Sequence, residues 1–250
     1  MSGHSKWATI KHQKGAKDKA RGKLFNKIAR QLEVAAREGG GDASSNSSLR
    51  TAIQKAKAGQ MTNDAIDRAI KRGTGADDGG TYEAIMYEGY APGGVAILVD
   101  TLTDNRNRTG SDVRNIFSKL GGSLAEPGAV GWQFSRRGII VVDGAAGEDN
   151  VMMAALDAGA DDVAADGDGD WRVTCTPNHV YDLQAALEAA GLAVKSAEST
   201  MVSSVIIEVT DAADARKILR MLDAFEDNDD VQDVFSNFDI SDELMEEAST

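Results

Sequence analysis

The sequence predicts an α+β fold: an N-terminal three-helix domain followed by two ferredoxin-like α/β domains, one inserted in the other. Three observations predict it. Apolar residues recur at helical spacing as far as Arg72, and from Val95 to Phe238 short apolar runs alternate with helical patterns. Those runs also sort into two copies of one strand and helix order. Length alone, 250 residues, suggests only about one or two domains.

The elements follow in order. From Gly22 onward, Leu24, Ile28, Leu32 and Ala35 make an apolar stripe, and Lys19, Lys23, Lys27 and Arg30 make a cationic stripe beside it. The run Gly39 to Gly41 ends this helix, and "SSNSS" supplies N-caps for a second, with Leu49, Ile53 and Ala56 facing inward and Gly59 at its end. A third helix runs from about Asn63 to Arg72, capped by Thr62 or Asn63 and closed by Gly73. "GTGADDGG" is a linker. Strands are expected at Val95–Thr101, Ser123–Ala125, Val130–Phe134, Ile139–Val142, Asp162–Ala165, Trp171–Cys175, Ala193–Glu198, Val205–Val209 and Val231–Phe235. Helices are expected at Thr109–Leu120, Asp149–Ala158, Asn178–Ala190 and Ala212–Phe225.

Between Gly138 and Thr200 the order is strand, helix, strand, strand, helix, strand, which is one complete split βαβ unit. The flanking elements give the same order only when read across it. The expected domains are therefore 1–75, 81–136 joined to 205–240, and 137–204 inserted between them, with an acidic tail at 241–250.

Charge is segregated along the chain. Residues 1–72 carry 16 Lys and Arg against 6 Asp and Glu, a net +10, while the remainder carries 11 against 34, a net −23. Such asymmetry fits a head that meets a polyanion and a body that repels it. In the head, His4, Lys6, Trp7, Lys11, His12, Lys14, Lys17, Lys19, Arg21, Lys23, Lys27 and Arg30 suit nucleic acid: the cations neutralise phosphates, and Trp or His can stack on a base. The competing reading is a solvated cationic surface. A membrane-surface helix fits poorly, because the apolar stripe is narrow and the body anionic.

A second candidate is "TLTDNRNRTG". Asp104, Asn105, Asn107 and Thr109 are cap and turn formers, whereas Arg106 and Arg108 beside a helix N-terminus suit a phosphate. Both readings of Asn105, Arg106, Asn107 and Arg108 stand at this point. "DGDGD" reads as a hairpin turn, since an EF-hand loop starting at Asp166 would place Trp171 at its glycine position and Pro177 at its glutamate position. Cys175 is a small core residue, and His179 is structural. P-loop, G-x-G-x-x-G, H-E-x-x-H and G-x-S-x-G motifs are absent, so neither catalytic nor metal-ligating residues are assigned, and no cofactor or small-molecule substrate is expected. One cysteine implies a reducing, cytoplasmic setting, and no apolar run reaches the roughly 18 residues of a membrane span.

Four stretches, "MSGHSKWATIKHQKGAKDKARGKLFNKIARQLEVAAREGGGD", "AIDRAIKRGTG", "YEGYAPGGVAILVDTLTDNRNRT" and "FSKLGGSL", resemble the YebC/PmpR family over nearly the whole chain. The resemblance implies a non-enzymatic cytoplasmic regulator of gene expression with a helical head and two α/β domains. Family members are commonly labelled DNA-binding transcriptional regulators, and some act as ribosome-associated translation factors. Bacterial members begin at the same Gly-His-Ser-Lys-Trp motif, which argues against a transit peptide. The chain departs at Ser199–Ser204, where many relatives carry Met-Ile-Pro; the expected linker lacks that proline's constraint.

The resulting expectation is a monomer that grips folded nucleic acid by phosphate and shape. Ribosomal RNA that is met on the ribosome during translation fits better than DNA, because no base-reading helix is evident. DNA-binding transcription regulation is the alternative, and a protein–protein adaptor that uses the acidic body is the second.

Overall fold

The computed structural model describes residues 17–75, 82–166 and 169–248. Helix α1 spans Lys17–Gly39, α2 Ser47–Ala58 and α3 Asn63–Thr74. They bury Ile28, Leu32, Leu49, Ala52, Ala56, Ile66 and Ala69 in one small core. Capping follows side-chain chemistry. Asn46 accepts from the Leu49 N–H at 3.0 Å while its amide donates to the Ala35 and Gly40 carbonyls, tying α2 to the end of α1. Thr62 caps α3 by accepting from the Ala65 N–H. Leu24, expected in the apolar stripe, lies 38% exposed.

After the head come β1 (Glu83–Tyr90), β2 (Ala96–Thr103), α4 (Arg106–Lys119) and β3 (Ser123–Leu124). Then follow β4 (Phe134–Val142), α5 (Glu148–Asp157), β5 (Asp162–Ala165), β6 (Trp171–Cys175), α6 (Val180–Ala189) and β7 (Val194–Ser203). The chain closes with β8 (Ile207–Glu208), α7 (Ala212–Asp227), β9 (Val231–Ser236), β10 (Phe238–Asp239) and α8 (Asp242–Ala248). By contacts the chain forms two compact units, Phe134–Ser204 and the residues on either side of it.

In the flanking unit, β3-β1-β2-β9 form an antiparallel sheet, with Tyr87 opposite Val99 and Val99 opposite Val234. With β2 counted first, β3 second and β9 fourth, the spatial order matches the ferredoxin-like arrangement, and β1 fills the place between β2 and β3. The sequence reading assigns that place to Val130–Phe134. Instead Gly131–Gln133 form one 3-10 turn, and the sheet takes its inner strand from 83–90, where no strand is expected. β1 is only half-buried, and its mixture of Glu, Met, Tyr and Gly carries no clean alternation. Helices α4 and α7 cover one sheet face through Val113, Phe117, Ile218, Leu222 and Phe225, with Phe117 and Phe225 edge to face at 4.9 Å. Gly89 of β1 is required there, because a Cβ would overlap the Phe117 ring.

The unit Phe134–Ser204 is an antiparallel sheet ordered β5-β6-β4-β7 around Ile140, Val142, Val151, Val173, Leu183 and Leu187. β4 is one strand where Arg136 and Arg137 divide the apolar pattern into two. Ser199–Ser203 lie inside β7, paired with Phe134–Gly138, rather than in a linker, so the ladder fixes the backbone without a proline. Cys175 is buried, and burial pushes its thiol up to about 11, which leaves it an inert core residue. His179 sits 2.9 Å from the Ala158 carbonyl.

Candidate nucleic-acid interface

Lys23, Lys27 and Arg30 recur every three to four residues and so share one face of α1. That face does not look outward. Lys23 pairs with Asp227 at 2.7 Å, Lys27 donates to the Glu226 carbonyl at 2.8 Å, and Arg30 donates to the Asp229 carbonyl at 2.9 Å. Lys55 of α2 reaches Asp233 at 3.1 Å. The acceptors gather where α7 ends and β9 begins: the Glu226 carbonyl is left open by the helix C-terminus, the Asp229 carbonyl follows it, and Asp227 and Asp233 accept through their carboxylates. α7 has no basic residue in its own last turn, so the head supplies the missing cations.

Asp230, 5% exposed, is the centre of this joint. Arg30 donates to its Oδ1 at 3.1 Å, and Arg108 donates to its Oδ2 at 2.7 Å. The Thr109 hydroxyl lies 2.7 Å from the same Oδ2. Burial pushes the carboxyl up, but the hydrogen bonds from Arg108, Thr109 and Arg30 outweigh it and hold Asp230 below the usual carboxylate range. The head and the Asn/Arg loop, far apart in sequence, thus meet on one carboxylate.

The loop itself combines the two readings. Asn105 caps α4, its side chain accepting from the Arg108 N–H at 3.1 Å. The Arg108 guanidinium turns away from the helix N-terminus to Asp104 at 2.8 Å and to Asp230, because a buried carboxylate must be neutralised. Arg106 pairs with Glu83 at 3.2 Å and remains 70% exposed on its side chain, and Asn107 is exposed. The charged groups of Lys23, Lys27, Arg30 and Arg108 thus hold the chain's own oxygens in this structure. Lys17, Lys19 and Arg21 belong to the first turns of α1. His4, Lys6, Trp7, Lys11, His12 and Lys14 lie outside the described residues.

Sequence reasoning missed several participants. Tyr82 lies under Arg30, whose guanidinium carbon is 5.3 Å from the ring centroid, and both line a polar cleft of about 230 Å³ with Lys27 and Arg72. Asp230 stands in an acidic run that reads as a solvated face, and only its position just before β9 could have signalled otherwise. Lys57, Arg68 and Lys71 are exposed and form no ion pair among the described residues.

Residues 5–76 match the model of the TACO1/YebC protein N-terminal domain, and residues 82–238 match that of the TACO1/YebC second and third domain. The chain belongs to the TACO1/YebC family. A probable transcriptional regulatory protein of Rubrobacter xylanophilus is 54% identical over the whole of both chains. One of Beutenbergia cavernae is 55% identical over 98% of each. The crystal structure of a conserved hypothetical protein, Aq1575, from Aquifex aeolicus is 41% identical and superposes with a TM-score of 0.77 over 90% of this chain and 93% of that one. These similarities agree with the mixed α/β fold of N-terminal helices followed by antiparallel sheets. Among the described residues no helix is long and apolar enough to cross a membrane.

Proposed function

We propose that this TACO1/YebC protein is a non-enzymatic, cytoplasmic regulator of gene expression that binds structured nucleic acid through its basic head, with ribosomal RNA the better-fitting partner. The observation that carries the reading is the segregation of charge, a head of +10 on a remainder of −23. The joint at Asp230 sharpens it. Cations held there fix the head's orientation, which leaves phosphate contact to Lys17, Lys19 and Arg21 at the start of α1 and to Arg106 and Asn107, together with the basic residues that precede Lys17. Orientation matters because a surface that recognises tertiary shape must present its cations in a fixed array.

The names of the relatives, probable transcriptional regulatory proteins, support a regulatory role and favour DNA as the second reading. Indirect readout of DNA could employ the same cations. Sedimentation of the tagged protein from gently lysed cells through a sucrose gradient separates the two. Co-migration with ribosomes that is abolished by reversing Lys17, Lys19 and Arg21 supports the RNA reading, and retention on chromosomal DNA overturns it.

A further inference from the structure

The inserted unit carries a surface that the nucleic-acid reading does not use. Helix α5 buries Val151 and Ala155 but leaves Met153 62% exposed, Leu156 56% and Met152 38%. Three large apolar side chains within five residues of one short helix are more than the scattered exposure normal for a surface. Beside them lies an open groove of about 590 Å³, lined by Asn150, Met153, Ala154 and Asp157 of α5 and by Gly191 and Leu192 of the turn between α6 and β7. Met at such a rim adapts to varied partners because its side chain is unbranched and polarisable.

Charge selects the occupant. Residues 134–204 carry 4 Lys and Arg against 12 Asp and Glu. Arg137 and Lys195 are engaged with Asp161, Asp143 and Asp170, whereas Glu148, Asp149 and Asp157, at the two ends of α5, have no cationic partner among the described residues. A phosphate backbone is repelled from such a surface, and so is a second copy of the unit. We infer that the α5 groove docks a basic amphipathic helix of a protein partner, its apolar face on Met153 and Leu156 and its lysines or arginines against Glu148, Asp149 and Asp157.

The test uses the full chain and two fluorescein-labelled 14-residue peptides of identical Leu, Lys and Ala composition. One places Leu at i, i+3, i+4 and i+7; the other scatters Leu around the helix. Fluorescence anisotropy at physiological salt should show the patterned peptide binding at least tenfold more tightly than the scattered one. The exposed double substitution Met153→Ser/Leu156→Ser, checked for native circular dichroism, should abolish that preference. Equal binding of the two peptides, undiminished preference in the double variant, or no binding overturns the inference. So does concentration-dependent dimerisation of the wild type that the double variant loses, since the occupant would then be a second copy.

Discussion

Removing the Asp230 carboxylate would leave two guanidinium groups and a threonine hydroxyl facing a nearly dry site. Replacement by Ala is expected to cost about 1.5–3 kcal/mol, the range for hydrogen bonds to charged groups, because Arg108 and Arg30 each lose a buried acceptor and keep only Asp104 and the Asp229 carbonyl. A urea melt of the full chain measures it. The pH dependence has a definite sign. Asp230 titrates below its unfolded value of about 4, so its contribution is complete above that pH and is lost as pH falls through the lowered folded value. Glu88, whose carboxylate accepts from the Gly128, Val130 and Gly131 N–H groups, is also lowered and adds a slope of the same sign. The difference between wild type and Asp230→Asn isolates the first contribution: the variant should be the less stable at pH 7, and the gap should close as pH falls through the lowered folded value. A constant gap across the titration would mean that Asp230 acts by shape alone.

At the level of elements, the crossing of α1 and α3 depends on one missing side chain. A Cβ on Gly73 would collide with the Glu33 carbonyl and approach the Ala36 Cβ to 2.9 Å. Gly73→Ala gains up to about 1 kcal/mol of helix propensity but forces two packed helices apart, which costs about 1–3 kcal/mol. The second effect wins, and the thermal midpoint should fall; a rise would show that the helices separate freely. The sequence announces Gly73 only as a helix end, since nothing local tells a packing glycine from a terminating one. The same limit explains the strands. The inserted unit is legible because apolar runs such as Ile139–Val142 and Trp171–Cys175 stand next to clear helical patterns. β1 is not, because a half-buried strand of mixed residues leaves no period of two, and its place in the sheet is set by pairing with β2 rather than by its own pattern.

For the whole molecule, the opposition of a basic head and an acidic remainder holds the joint at Asp230 and, on the proposed function, also grips nucleic acid, and salt distinguishes the two roles. The sequence shows how many cations there are but not which are already neutralised. That depends on Glu226 to Asp230 folding against α1, a contact about two hundred residues distant. Of the joint's pairs, Lys23 with Asp227 is exposed and worth less than about 1 kcal/mol, whereas Arg30 on buried Asp230 is screened far less. If phosphate contact falls to the start of α1, the combined Lys17→Glu, Lys19→Glu and Arg21→Glu substitution should flatten the log–log salt dependence of RNA binding by about 2, at roughly 0.7 per contact. Lys23→Ala should leave that slope unchanged, because Lys23 already has its counter-charge in Asp227. A slope that responds to Lys23 as strongly as to the first turns of α1 would mean that the polyanion displaces the acidic segment, and that the joint opens when the protein binds.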